Sequence, residues 1–356
     1  MFDKAISQIR ARGETIEINA ESDKMVPSIE LIDGKSTFCL ELEGKKYPCL
    51  ERAWASWSEK ILAPKDRSEL DEDERTGRRK RWSSGTIRKF LSMTPAPIAD
   101  KTIKAWWEMH KPADWNVIKY ADNGVPGKIR YIGTDRYRLY KNLDFLADLS
   151  KADFGDFEVR NEYVDEDNMI IRVTGKKPLK LERDSKNLFS GFHMLNSENG
   201  SSSIILQHLI YDLLCTNGLM VLFSKSNMVN QKHIRFDMDS FREAVQLQAT
   251  RVPEAHDVAE KLVSGMVKKL LPAPEVGGAM SMYQKDFNAS TKFIDEVIDL
   301  TPDTGTNLWR LTSSITEASQ KYSWKSRVEH ETQAYKMAVN VMENKHLKYV
   351  TEELNG

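Results

Sequence analysis

Apolar and polar positions alternate in two runs between Val26 and Cys49, and the runs flank Asp33-Gly34. That dipeptide supplies the positive backbone angles of a two-residue turn, so the pattern predicts a β-hairpin. Helical periodicity follows from Leu50 to about Leu62, and again over Thr86–Met93 and Ala99–His110, with Pro95 and Pro97 separating the last two. From Trp115 the period shortens to two: WNVIKY, KIRYIG, FEVRNEYV and MIIRVTG each read as a short strand, and together they predict an antiparallel sheet. After Phe223 the pattern returns to helices, over Asp239–Leu271 with a break at Pro253, Gln284–Leu300, and Asn307 to about Val350.

The segment Gly191–Met220 joins a strand-like run, a Gly/Ser-rich turn and a stretch in which Leu206, Leu209, Ile210 and Leu213 recur at helical spacing. It predicts an amphipathic helix capped by Ser201–Ser203 and ended at Asn217-Gly218. The whole predicts an α+β fold: an antiparallel sheet covered by helices, with a mainly helical C-terminal third. The expected division is a hairpin-and-helix module over 1–62, a charged linker over 63–85, connecting helices over 86–114, a sheet core with a central helix over 115–238, and C-terminal helices over 239–356.

Composition narrows the function classes. The 356 residues carry 52 Lys and Arg against 53 Asp and Glu, a formal charge of -1, so any nucleic-acid surface must be a local patch. Three cysteines without a paired spacing fit a reducing cytoplasm and no disulfide framework. No stretch approaches the roughly 20 apolar residues that span a bilayer, and the N-terminus lacks a signal-peptide core, so a soluble cytoplasmic protein is expected. The expected cofactor is none, and so is the expected metal, because His330-Glu331 lacks the second histidine of a zinc helix.

Two basic stretches with embedded aromatics are candidate nucleic-acid surfaces. Arg75, Arg78, Arg79, Lys80, Arg81, Arg88 and Lys89 surround Trp82 with no acid among them, and such a run neutralises phosphates and offers a ring to a base. The acids between Glu69 and Glu74 give the other reading, a solvated loop of paired charges. In KIRYIGTDRYRLYK, Lys128, Arg130, Arg136, Arg138 and Tyr140 are the candidates; extended backbone from Arg136 puts Arg136, Arg138 and Tyr140 on one face. Its counter-reading has the tyrosines packed inward and the arginines paired with acids.

Asn196, Ser197, Gly200, Ser201, Ser202 and Ser203 form a candidate anion-binding turn, because Gly200 lets backbone N–H groups approach a phosphate at a helix start. Capping is the plainer task for these residues. Cys215 reads as a small core residue, and His193 and His208 flank the turn closely enough to approach one another. Asp33 with Glu43-Gly44-Lys45 is spaced like the Asp…Glu-x-Lys of metal-dependent nucleases, where two carboxylates hold a divalent ion and the lysine orients water. Exposed hairpin charge is the simpler reading of the same residues.

Several blocks carry a family resemblance: Asn196, Ser197 and Gly200 as NS..G; Cys215, Asn217 and Gly218 as C.NG; RYIGTDRYRLYKNLDFLADL from Arg130 to Leu149; and TNLWRLTSSITE from Thr306 to Glu317. In these the chain resembles the phage and plasmid proteins grouped as the domain of unknown function 932 family, over roughly Trp115 to Val341. The resemblance implies a gene carried by phages, prophages or plasmids, and no catalytic residue. Combined with the basic stretches, it leads to the expectation of a non-enzymatic accessory protein that binds nucleic acid, single strands among them, in recombination or replication. Its alternatives are a protein that binds a host or phage protein, and a metal-dependent nuclease.

Overall fold

The computed structural model describes residues 2–21, 24–61, 84–110, 114–122, 127–133, 136–180, 188–212, 217–220, 228–234, 236–302 and 305–354. The fold is α+β, with three antiparallel sheets and helices concentrated toward the C-terminus.

The chain opens with α1 (Asp3–Arg12) and β1 (Thr15–Glu21), then β2 (Met25–Ile32), β3 (Lys35–Leu42) and β4 (Lys45–Pro48) as a three-stranded meander. The predicted hairpin is there: Ile32 pairs with Lys35 across Asp33-Gly34, both at positive φ. α2 (Glu51–Ile61), α3 (Ser84–Met93) and α4 (Ala96–His110) follow, then β5 (Asp114–Tyr120) and β6 (Ile129–Gly133). β5 pairs with β1 on one side and β6 on the other, making a second small sheet.

Tryptophans dominate the core between these pieces. Trp54 and Trp57 of α2, Trp107 of α4 and Trp115 of β5 are all buried, with Trp107 stacked on Trp57 at 6.4 Å and on Trp115 at 5.4 Å. Burying each such ring removes ~150–250 Å² from water, so the aromatic set is the main adhesive of this half.

α5 (Asn142–Lys151) leads into the large sheet of β7 (Phe157–Val164), β8 (Met169–Gly175), β9 (Leu188–Asn196), β10 (Ile204–Asp212), β11 (Asn217–Met220) and β12 (Met228–Gln231). Its order is β7-β8-β9-β10-β11, with β12 also paired to β10. The helices α6 (Met238–Thr250), α7 (Val252–Lys268), α8 (Ala273–Phe287), α9 (Thr291–Asp299), α10 (Leu308–Ala318), α11 (Trp324–Met342) and α12 (Leu347–Leu354) complete the chain. One face of the sheet buries Ile171, Val173, Phe192, Met194 and Leu206 against Phe145, Leu149, Phe241 and Val245 of α5 and α6. The other lies under α11, while Leu188, Ile210 and Leu219, farther along the first face, join the core of the C-terminal helices.

The helix expected over Leu206–Leu213 is a strand. β10 pairs with β9 from Ile205–Leu195 to Asp212–Leu188, and Leu213 lies outside the described residues. The physical reason is burial on both faces: Ile204, Leu206, His208 and Ile210 are buried, and so are Gln207, Leu209 and Tyr211. A strand covered on both sides loses its period-two signal, and its continuous apolar run also satisfies a helical template. Ser201–Ser203 therefore cap no helix, and Asn217-Gly218 belongs to β11 rather than to a helix end.

Among the described residues no helix is long and apolar enough to cross a membrane.

Candidate functional site

The turn between β9 and β10 borders a cleft. Asn196 and Ser197 are fully buried, and the Asn196 amide nitrogen and the Ser197 hydroxyl are spent on the scaffold. Asn196 Nδ2 donates to the Tyr140 carbonyl and to Asn142 Oδ1, both at 2.9 Å. Ser197 Oγ donates to Asn199 Oδ1 at 2.8 Å and accepts from the Ser201 amide at 3.0 Å. Ser202 Oγ donates to Asn168 Oδ1 at 2.7 Å, which fastens the turn to the β7–β8 connection. Gly200 sits at φ 66, and a Cβ there would lie 2.9 Å from the Tyr137 ring, so this position needs glycine on two counts.

Gly200, Ser201, Ser202 and Ser203 form one wall of the cleft, whose volume is about 280 Å³. Arg52 and Ser56 of α2 face them, with Tyr131, Tyr137, Lys232, His233 and Ile234 completing the lining. Arg52 Nη2 donates to the Gly200 carbonyl at 2.8 Å, while Ser56 Oγ accepts from the Ile132 amide at 3.2 Å. Thus two residues one helical turn apart tie α2 to the β9–β10 turn and to β6.

Three rings form a column in the wall: Tyr131 and Tyr137 at 4.4 Å between centroids, Tyr137 and His233 at 5.2 Å and 16°. Tyr137 and His233 are buried and Tyr131 is half-buried, so Tyr131 is the tyrosine best placed to meet a ligand. His233 Nδ1 lies 3.3 Å from the Arg138 carbonyl, which can only accept, and this assigns the proton to Nδ1. Nε2 is then a bare acceptor, and it has no partner. Burial lowers the His233 pKa to about 4, an effect the Arg138 carbonyl only partly offsets, so the ring is neutral at pH 7.

Charge in the cleft is one-sided. Arg52 and Lys232 are its cationic residues, and among the described residues the lining includes no carboxylate. Glu198, the nearest acid in the turn, is turned away: Arg130 Nη1 donates to its Oε2, and its Oε1 accepts from the Asn142 amide at 2.7 Å.

The sequence-predicted residues fall into three groups. Arg75, Arg78, Arg79, Lys80, Arg81, Trp82 and Cys215 lie outside the described residues; Arg88 is in α3, and Lys89 is exposed on the same helix. Lys128, Arg136 and Arg138 are exposed. Arg130 and Tyr140 are buried, which removes them from any phosphate surface. Arg130 is consumed by Glu198, by Thr15 Oγ1 at 2.8 Å and by the Glu166 carbonyl at 2.6 Å, and the Tyr140 hydroxyl donates to Asp148 at 2.8 Å. Arg136, Arg138 and Tyr140 consequently do not share a face; the segment bridges to Ile234 through Tyr137 alone.

Of the anion-binding turn, Gly200 and Ser201–Ser203 reach the cleft, whereas Asn196 and Ser197 do not. No helix N-terminus stands behind it, so any anion must be held by Arg52, Lys232 and hydroxyls. His193 and His208 do not approach as expected: they pair with Gln207 and Phe192 at successive registers and so project to opposite faces. Asp33 and Glu43 occupy turns at opposite ends of β3, about 25 Å apart at the usual strand rise, too far to share a metal. Among the described residues no group of three or more His, Cys, Asp or Glu could hold a metal ion.

No family model matches the chain, and neither does any curated protein or solved structure. Function must therefore be argued from the cleft.

Arg52, Ser56, Lys232 and His233 carried no signal in the sequence. Arg52 and Ser56 sit on an amphipathic helix whose polar positions look solvated, and Lys232-His233 follows a four-residue strand. Pairing of β12 with β10 brings Gln231, and hence the next two residues, beside Ile204 and the serines that precede it.

Proposed function

We propose that this chain is a non-enzymatic phage or plasmid accessory protein that binds nucleic acid, with the Arg52–Lys232 cleft as the seat of a single-stranded segment. One observation supports this above the others: two cations, serine hydroxyls and a half-buried tyrosine line one cleft whose lining, among the described residues, includes no carboxylate. Phosphate affinity comes from the cations, and a tyrosine face adds sequence-tolerant stacking of about 1–3 kcal/mol per base. A duplex is too wide for a cleft of about 280 Å³, whereas one nucleotide of a single strand is of that size. The exposed Lys89, Lys128, Arg136 and Arg138 supply further phosphate contacts on the same reading. The NS..G and C.NG blocks support a mobile-element setting, in which recombination and replication both expose single strands.

A binding screen with labelled single- and double-stranded DNA and RNA over a range of salt tests the proposal. Single strands should bind at low salt and weaken as salt rises. Absence of binding at low salt refutes it. A stoichiometric protein captured from nuclease-treated host lysate, with no nucleic-acid binding, would favour the host-protein alternative instead.

A further inference from the structure

The middle of the large sheet carries a polar row that the cleft does not use. Arg172 of β8 is paired with His193 of β9, and His193 with Gln207 of β10. Directly paired residues project to the same face, so the three side chains stand side by side beneath α11. Arg172 and His193 are completely buried and Gln207 is 5% exposed.

Glu331 of α11 reaches down to this row. Arg172 Nη1 and Nη2 donate to its two carboxylate oxygens at 3.1 and 2.5 Å, and Arg327 Nε donates to Oε1 at 3.0 Å. Trp324 lies against both guanidinium groups, at 5.1 and 4.6 Å. Two buried cations thus face one carboxylate. His193 adds no negative charge and cannot take a proton, because burial, and then Arg172 and Arg327, hold its pKa well below the usual histidine value.

Hydrogen bonding is unbalanced in the same direction. Arg172 Nε, Gln207 Nε2 and both ring nitrogens of His193 are buried without a partner. Arg172 Nε and Gln207 Nε2 only donate, and a neutral imidazole has one donating nitrogen, so three donors lack an acceptor against one imidazole nitrogen that lacks a donor. Each such group costs about 1–3 kcal/mol if it stays unsatisfied. A cation would worsen both imbalances; an anion corrects both.

We infer that the Arg172–His193–Gln207 row is a binding site for a small monovalent anion of the halide class, held between the central sheet and α11. Entry is past Arg327, whose side chain is 10% exposed, and the half-buried Trp324. The inference is independent of nucleic-acid binding.

The test compares thermal unfolding of the full chain in sodium chloride and in sodium gluconate at equal ionic strength, together with the chloride NMR linewidth. Chloride should raise Tm progressively by mass action, and the folded protein should broaden the chloride resonance in a way that bromide reverses. Gln207→Leu should weaken the apparent chloride affinity about tenfold, which corresponds to roughly 1.4 kcal/mol. Equal Tm in the two salts with no broadening overturns the inference, as does a Gln207→Leu protein with unchanged chloride dependence. A crystal grown in bromide that shows only ordered water in the row overturns it too. If Gln207→Leu does not fold, the wild-type salt comparison and the bromide crystal decide.

Discussion

Arg52 Nη2 donates to the carbonyl oxygen of Gly200 at 2.8 Å, and this bond fastens α2 to the turn between β9 and β10. The two residues are 148 positions apart in sequence, yet together they set the cationic wall of the cleft. Arg52 therefore has a structural task, to which the proposed function adds a binding one. Replacing it by glutamine removes the charge while keeping a donor near the carbonyl. Arg52→Gln should lower single-strand affinity and reduce the salt slope by about one contact, with a stability change near 1 kcal/mol by urea titration.

Gly200→Ala addresses the turn itself. An alanine at φ 66 is strained, and its Cβ would lie 2.9 Å from Tyr137, a ring already stacked on His233. Destabilisation of about 1–3 kcal/mol is expected by chemical denaturation. A neutral outcome would mean that the turn is not fixed as described.

The buried ion pair between Arg172 and Glu331 behaves asymmetrically. Glu331→Gln leaves two guanidinium groups buried without their carboxylate, and such removal of one partner costs about 3–5 kcal/mol. Equilibrium unfolding of the variant measures the loss.

Acid should destabilise the fold through buried histidines. His208 and His233 both have pKa values lowered to about 4, chiefly by burial, whereas in the unfolded chain they titrate near 6.5. Below 6.5 the unfolded state binds protons that the folded state refuses, so stability is full above pH 6.5 and falls as pH drops toward 4. Each histidine contributes on the order of 3 kcal/mol to that loss. Denaturation followed from pH 7 to pH 4.5 should show the decline, and His233→Phe should flatten it.

How much of this was legible beforehand depended on whether the pattern had one reading. Asp33-Gly34 between alternating runs marked a hairpin by its turn chemistry, and FEVRNEYV and MIIRVTG marked neighbouring strands because β-branched and aromatic residues gather in two short runs around a polar turn. Residues 204–212 misled because burial on both faces erases periodicity. Arg130 and Tyr140 looked like a nucleic-acid surface because sequence records charge and aromaticity but not the contacts that absorb them, with Glu198 far along the chain and with Asp148 in the helix that follows. The turn at Gly200 borders the cleft, but the helix start on which its anion-binding reading rested is a strand; its neighbours there, Arg52 and Lys232, come from long-range pairing. Pattern reports local periodicity, whereas a cleft is made by contacts between segments more than a hundred residues apart.

The most direct measurement is fluorescence anisotropy of a labelled single-stranded oligonucleotide titrated with wild type and with the Arg52→Gln/Lys232→Gln double variant over several salt concentrations. Cleft binding requires that the wild type binds with a log–log salt slope, and that the variant loses about tenfold or more in affinity with a slope shallower by roughly 1.4, about 0.7 per lost phosphate contact. Wild-type binding that the double variant reproduces in both affinity and slope would contradict the assignment of nucleic acid to this cleft.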